Sequence, residues 1–126
     1  IDYKGWRICP LICYDLRFPV WSRNDVDYDL LIYVANWPGK RIEAWDVLLK
    51  ARAMENMTYC AGVNRIGNDE NGIHYPGNSA ILDGLGKNIS EMNSKAIITA
   101  TLRKESLHEQ RLNFKFLDDK DDFILK

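Results

Sequence analysis

Asp29-Leu30-Leu31-Ile32-Tyr33-Val34-Ala35 is, after its first residue, a continuous apolar run with the length of one β-strand. Such a run is typical of a strand that is covered on both faces, and the turn residues Asn36-Trp37-Pro38-Gly39 end it. Residues 5–13 before it and 59–64 after it also have strand character. Because these strands are mixed with helical segments, the sequence predicts an α/β layered architecture in one domain, residues 1–126.

The clearest helix in the sequence spans residues 41–57. Acidic residues lie early in this segment and basic residues late, which matches the helix dipole. Apolar residues recur in it at helical spacing, namely Ile42, Trp45, Leu49, Ala53 and Met57. The other predicted elements are a short helix at 19–24, a turn at 68–72, strands at 79–82 and 96–102, and a polar helix at 104–112.

The composition is typical of a globular protein. The chain of 126 residues is 46% hydrophobic, which is enough for one domain with a core. Its net charge is −1, with acidic and basic residues interspersed, so neither a nucleic acid nor an anionic membrane is expected as a partner. No apolar run in the sequence is long enough to span a bilayer.

The three cysteines form neither a CxxC pair nor a Cys/His cluster with metal-ligand spacing. A disulfide scaffold is therefore not expected, and the sequence favours a reducing, cytoplasmic setting without a metal or cofactor. The chain starts at Ile1-Asp2-Tyr3 without an initiator Met and enters a strand-like segment at once. We expect it to be a piece of a longer protein, with the missing part upstream.

Cys13 lies where a buried strand gives way to a turn and a helix start, which is where a covalent enzyme would place its nucleophile. Backbone amides at a helix start favour thiolate over thiol. The alternative is an inert thiol, since free cysteine often behaves as a small buried hydrophobe. Cys9 and Cys60 lie inside their strands, and for these two we expect the structural role.

Four further residues follow the strand ends near Cys13. Asp15 and Arg17 are expected to form a local ion pair that braces the turn; the alternative is that Arg17 holds a substrate carboxylate through two hydrogen bonds. Ligands of parallel sheets bind beyond the carboxyl ends of the strands, so Asn36 is expected on the same rim as Cys13. There Asn36 would orient an amide and Trp37 would wall a pocket, or the pair would form a strand-ending turn with an aromatic plug.

No side chain in the sequence stands out as a base for Cys13. His74 and His108 lie in polar segments without a neighbouring triad partner. Glu55 lies about three turns into the predicted helix, away from the strand ends, and is expected to pair with Arg52 at the i, i+3 spacing.

Motifs in a fixed order run through nearly the whole chain. They are Ile12-Cys13-Tyr14-Asp15-Leu16-Arg17-Phe18-Pro19, Ala35-Asn36-Trp37-Pro38, Ala51-Arg52-Ala53-Met54-Glu55-Asn56, Val63-Asn64-Arg65-Ile66-Gly67 and Tyr75-Pro76-Gly77-Asn78-Ser79. In order and spacing they resemble the C-terminal half of a nitrilase-superfamily carbon–nitrogen hydrolase. The first two motifs and the ending at 111–123 resemble the omega-amidase branch, which removes the terminal amide of 2-oxo-dicarboxylic acid monoamides such as 2-oxoglutaramate.

The resemblance implies a layered α-β-β-α sandwich, of which this chain is the incomplete C-terminal half, in a homodimer or larger homo-oligomer. Family chemistry uses a Glu, a Lys and a Cys; Cys13 matches the nucleophile, while the Glu and the Lys lie upstream of the matched region. The backbone N–H of Tyr14 would stabilise the oxyanion together with the Lys, and a thioester would form on Cys13. The chain alone is therefore expected to be inactive.

By this resemblance Cys13 and Tyr14 are the expected catalytic residues. Arg17, Asn36 and Trp37, which the residues themselves suggested, are the expected binding residues for a small-molecule amide. The aromatic tail after residue 113 resembles a cross-subunit arm, and the helices at 41–57 and after Cys13 resemble dimer-forming helices. Two alternatives stay open, namely a nitrilase or carbamoylase of the same superfamily and a non-catalytic interaction fragment that pairs with intact subunits.

Overall fold

The computed structural model describes residues 1–94, 97–121 and 123–124. Its helices are α1 (Ile42–Glu55) and α2 (Lys104–Phe114). Its strands are β1 (Asp2–Tyr3), β2 (Trp6–Ile12), β3 (Leu30–Ala35), β4 (Tyr59–Asn64), β5 (Ile66–Asn68), β6 (His74–Pro76), β7 (Ala80–Leu82), β8 (Glu91–Ser94) and β9 (Ile97–Thr99). No helix within these described ranges is long and apolar enough to cross a membrane.

The central sheet has the strand order β1-β2-β3-β4-β7. Strands β2, β3 and β4 are parallel, whereas β1 and β7 pair antiparallel at the two edges. The predicted strand at 59–64 is confirmed at its full length, and those at 5–13, 29–35 and 79–82 are confirmed with small differences at their ends. The carboxyl ends of the three parallel strands therefore lie along one edge of the sheet.

Helix α1 confirms the helix predicted at 41–57 and covers one face of the sheet. Its residues Trp45, Leu49 and Ala53 are buried in the main core, together with apolar residues of β3 and β4. The contact is close at Gly62, where a Cβ atom would lie 2.4 Å from Leu49 Cδ1 and 2.8 Å from Trp45 Cζ2. A side chain at position 62 would therefore force Leu49 and Trp45 to shift, and glycine lets the helix pack this closely on β4.

The other face of the sheet carries apolar side chains that nothing in the described part of the chain covers. Ile12, Val34 and Val63 are paired across β2, β3 and β4, and their exposed fractions are 67%, 49% and 52%. The prediction that β3 is covered on both faces is therefore wrong for Val34. Within the described residues, helix α1 covers one face of the central sheet and the other face is open, as expected for an incomplete α-β-β-α sandwich.

Helix α2 confirms the polar helix predicted at 104–112 and is anchored by a buried carboxylate. Asp29 lies 3.1 Å from Lys104 Nζ and 3.8 Å from Arg111 Nη1. Arg111 also donates to the carbonyl oxygens of Met57 and Tyr28. These contacts tie the C-terminal part of the chain to the start of β3.

Two other predictions can be compared directly with the structure. The helix predicted at 19–24 is only one short 3-10 turn, Val20–Ser22, that follows Pro19. Of the strand predicted at 96–102, only β9 at Ile97–Thr99 forms; residues 100–102 are not in a strand, and Ala96 lies outside the described residues. In the aromatic tail, the rings of Phe114 and Phe116 stack 5.4 Å apart and are about half exposed.

Candidate active site

Cys13 follows the last residue of β2 and starts a 3-10 turn, Cys13–Arg17. Its φ angle is +41°, a left-handed conformation that is uncommon for a residue with a Cβ atom. Backbone strain of this kind concentrates at functional sites, where the surrounding structure holds it in place. The abrupt change of chain direction puts the Cys13 side chain at the carboxyl edge of the sheet.

Two polar side chains hold this turn. The Asp15 carboxylate accepts a hydrogen bond from the backbone N–H of Ile12 at 2.9 Å. From α1, Arg52 Nη2 donates to the carbonyl oxygen of Leu16 at 2.7 Å, and Arg52 Nη1 lies 2.9 Å from Glu55 Oε1. The predicted Arg52–Glu55 pair is thus confirmed, and it braces the turn that carries Cys13.

The predicted ion pair between Asp15 and Arg17 is wrong. The Asp15 carboxylate is used by the backbone of its own turn, while the Arg17 guanidinium lies 5.0 Å from the ring centroid of Trp37. The guanidinium gains a cation–π contact there and is half-buried rather than free in solvent.

Cys13 and Asn36 line one open groove of about 500 Å³, a size typical of small-molecule sites. The rest of its wall comes from the carboxyl ends of β2, β3 and β4 and the residues just after them, namely Ile12, Val34, Ala35, Val63, Asn64 and Arg65. The prediction that Cys13 and Asn36 share one rim is confirmed. Within the described residues, no carboxylate, lysine or imidazole lines this groove.

Trp37 does not line the groove. Its side chain is buried in the core, where its ring lies 5.6 Å from that of Trp45 and its Nε1 donates to the carbonyl oxygen of Arg41 at 2.7 Å. This position matches the aromatic-plug alternative.

Tyr14 is exposed, and its backbone N–H lies in the first turn of a 3-10 helix, where amide donors lack a partner within the helix.

Asn64 organises the groove floor, although sequence reasoning named it only as part of a motif. Its Oδ1 accepts from the backbone N–H of Trp37 at 2.6 Å, and its Nδ2 donates to the carbonyl oxygens of Trp37 and Gly77 at 3.0 and 2.7 Å. One buried amide thereby joins the loop after β3 to the loop before β7. An asparagine at the end of a buried strand was the only signal available.

A second cluster beside the groove was not predicted. The Arg65 guanidinium lies 4.8 Å from the ring centroid of Tyr75, whose hydroxyl donates to Asp69 Oδ2 at 3.0 Å. Lost hydration raises the pKa of Tyr75, the bond to Asp69 raises it further, and a negative charge on Cys13 would add to the effect.

The other two thiols fit the structural role predicted for them. Burial raises the pKa of Cys9, and it raises the pKa of the fully buried Cys60 to about 12. His74 is exposed and bonds through Nδ1 to Asn68, and His108 is exposed on α2, so neither lies in the groove. The described residues contain no cluster of three or more His, Cys, Asp or Glu that could hold a metal ion.

The chain has clear matches among known protein families and curated proteins. Residues 1–112 match the family model for carbon–nitrogen hydrolase. The chain is 53% identical over 127 residues to the omega-amidase YafV of Yersinia enterocolitica, covering 99% of this chain and 50% of that protein. It is 34% identical to the 2-oxoglutaramate amidase of Bacillus subtilis, covering 94% of this chain and 46% of that protein.

A solved structure has the same fold. XC1258 from Xanthomonas campestris, a CN-hydrolase superfamily protein with an arsenic adduct in its active site, superposes with a TM-score of 0.94 at 45% identity. The match covers 100% of this chain and 51% of that chain. The chain thus spans about half the length of the relatives it matches.

Proposed function

This chain belongs to the carbon–nitrogen hydrolase family, in its omega-amidase-like branch, and we propose that Cys13 is the nucleophile of an amidase for small carboxylic acid monoamides. The observation that carries the proposal is the position of Cys13, strained at φ +41° at the end of β2 and opening into a groove at the sheet edge. The two other thiols are held in strands with raised pKa values. Their placement leaves Cys13 as the candidate nucleophile.

The proposed reaction proceeds through an acyl-enzyme. The Cys13 thiolate attacks the amide carbon, a C–S bond forms, and the C–N bond then breaks as the nitrogen takes up a proton and leaves as ammonia. Water attacks the resulting thioester, the C–S bond breaks, and the carboxylic acid and the free thiol are released. The Tyr14 backbone N–H is proposed to donate to the oxyanion, and one such donor is worth roughly 3 kcal/mol.

Binding residues are proposed both in this groove and beside it. Asn36 is exposed on its rim and has an amide that can pair with the amide or carbonyl group of the substrate. Arg17, stacked on Trp37 beside the Cys13 turn, is one candidate cation for a substrate carboxylate. Trp37 would then contribute indirectly, because its ring holds the Arg17 guanidinium in position.

We also propose that the proton acceptor for Cys13 comes from outside residues 1–126. The groove described above offers Cys13 no carboxylate, lysine or imidazole. Nucleophile and base act as a unit, so residues 1–126 alone should hydrolyse amides very slowly. The uncovered sheet face around Val34 and Val63 indicates where a second layer, with those missing groups, would pack.

We also propose an oligomeric state and a cellular location for the protein. The half-exposed rings of Phe114, Phe116 and Phe123 support a homodimer or larger homo-oligomer in which this tail is covered. The three cysteines are unpaired, which supports a reducing, cytoplasmic setting. Light scattering tests the assembly, and a monomer at high concentration would contradict it.

The proposed activity is tested by measuring ammonia release by the complete gene product from an amide, a nitrile and a carbamoyl compound of matched carbon skeleton. We expect turnover of the amide, with residues 1–126 alone slower by about 10³-fold or more because the acceptor is absent. Preference for the nitrile or the carbamoyl compound would assign another reaction of the superfamily. Turnover of none of the three would favour a non-catalytic interaction fragment.

A further inference from the structure

The Asp15 carboxylate closes the turn that carries Cys13. It accepts a hydrogen bond from the backbone N–H of Ile12, the last residue of β2, at 2.9 Å, so this bond spans Cys13 and Tyr14. Ile12 has extended dihedral angles, φ −122° and ψ 123°, whereas the next residue, Cys13, has φ +41°. The chain therefore reverses within one residue, and the Asp15 bond joins the two sides of that reversal.

The left-handed conformation of Cys13 needs support of this kind. A residue with a Cβ atom is disfavoured at positive φ, and it stays there only where the surrounding contacts hold it. The cost of this conformation and the gain from a hydrogen bond to a carboxylate are of the same order. One bond from Asp15 can thus decide whether Cys13 keeps φ +41°.

The other contacts of this turn act at its far end. The Leu16 side chain is fully buried, and the Leu16 carbonyl oxygen accepts from Arg52 Nη2 at 2.7 Å. The backbone N–H of Phe18 donates to the carbonyl oxygen of Asp15 at 3.0 Å and ends the turn. Among the described side chains, that of Asp15 alone bonds to the backbone just before Cys13.

The conformation of Cys13 sets the direction of two groups in the proposed reaction. Because the peptide unit is planar, the dihedral angles of Cys13 fix both where its thiol points and where the N–H of Tyr14 points. In the conformation that the structure shows, Cys13 lines the groove. A misplacement of about 1 Å in a nucleophile or an oxyanion donor is enough to slow a reaction about 10²-fold.

We propose that Asp15 is a positioning residue, which keeps Cys13 left-handed through the bond to the Ile12 N–H and so aims the thiol and the Tyr14 N–H at the substrate. This assignment rests on the proposed function, in which those two groups carry the reaction. Asp15 itself does not line the groove. Because the bond requires an acceptor oxygen rather than a charge, asparagine should replace Asp15 and alanine should not.

The hold of Asp15 on the turn is tested on residues 1–126, independently of catalysis. The scalar coupling between the amide and α protons of Cys13 depends on φ and is measured by NMR on isotope-labelled protein. We expect Asp15→Ala to shift this coupling toward the larger value of extended backbone, and Asp15→Asn to leave it as in the unaltered chain. An unchanged coupling in Asp15→Ala would overturn the assignment.

The catalytic consequence is measured as ammonia release from an acidic monoamide by the complete gene product. Asp15→Ala should lower kcat about 10²-fold and change KM by less than about threefold, because Asp15 lies outside the groove. Asp15→Asn should keep kcat within about fivefold, since its amide oxygen still accepts from the Ile12 N–H. Equal losses in the two variants would overturn the assignment, because they would attribute the effect to the charge.

The matched control is Asp25→Ala, which removes a carboxylate from an exposed position before β3 and should leave both measurements unchanged. Asp15→Leu keeps a branched side chain without an acceptor oxygen, and it takes the place of Asp15→Ala where the latter does not fold. It should show the same shift in coupling and the same loss of kcat. If the unaltered protein hydrolysed no amide, the proposed function would fail, while the Cys13 coupling would still test Asp15.

Discussion

Replacing Cys13 with alanine is expected to lower amide hydrolysis by the complete gene product about 10⁴-fold or more. The reason is that the proposed thioester needs the sulfur, and the described groove holds no other nucleophilic side chain that could take its place. Cys13→Ser should be almost as slow, since a hydroxyl is far less acidic than a thiol. Steady-state ammonia release measures both variants.

The matched control for this experiment is Cys9→Ala, in the strand that leads into Cys13. Burial raises the pKa of the Cys9 thiol, which lies inside β2 and outside the groove. We expect Cys9→Ala to keep activity within about threefold, with any loss reflecting packing. A Cys13→Ala variant that retained comparable activity would remove Cys13 from the mechanism.

Replacing Arg52 with methionine is expected to destabilise the fold by about 3 kcal/mol. The Arg52 side chain is only 4% exposed, and the substitution would leave the Leu16 carbonyl oxygen without its donor and Glu55 without its partner. Glu55 is one-third exposed, so water would compensate part of its loss. Chemical denaturation of residues 1–126 measures the free energy of unfolding.

Lys50→Met in the same helix is the control, because Lys50 is exposed and the described residues give it no ion pair. It should change the free energy of unfolding by no more than about 0.5 kcal/mol. Arg52→Met should in addition speed alkylation of Cys60, whose thiol is buried beneath the same helix face, by opening the core. Equal stability of the two variants would show that the Arg52 contacts do not hold the Cys13 turn.

The framework of the fold was predictable because it depends on local pattern. The apolar runs of β3 and β4 and the helical spacing of Trp45, Leu49 and Ala53 are properties of neighbouring residues. The meeting of Cys13 and Asn36 followed from one topological rule, the parallel pairing of neighbouring strands.

What escaped prediction depends on partners distant in sequence. Arg65 and Tyr75 meet because the hairpin of β5 and β6 folds back on itself, and nothing in either local sequence indicates the contact. Asp15 and Arg17 were expected to pair on charge alone. Instead the Asp15 carboxylate accepts from the Ile12 N–H within the turn, and the flat guanidinium of Arg17 lies over the face of Trp37.

The central claim, that Cys13 carries the acyl group, is tested most directly by trapping the intermediate. The complete gene product is mixed with the acidic monoamide, quenched in acid during turnover, digested and analysed by mass spectrometry. The account predicts an acyl group on the Cys13 peptide alone, removable by hydroxylamine as a thioester is and missing from Cys13→Ala. Turnover with an unmodified Cys13 peptide, and with the acyl group on another residue, would contradict it.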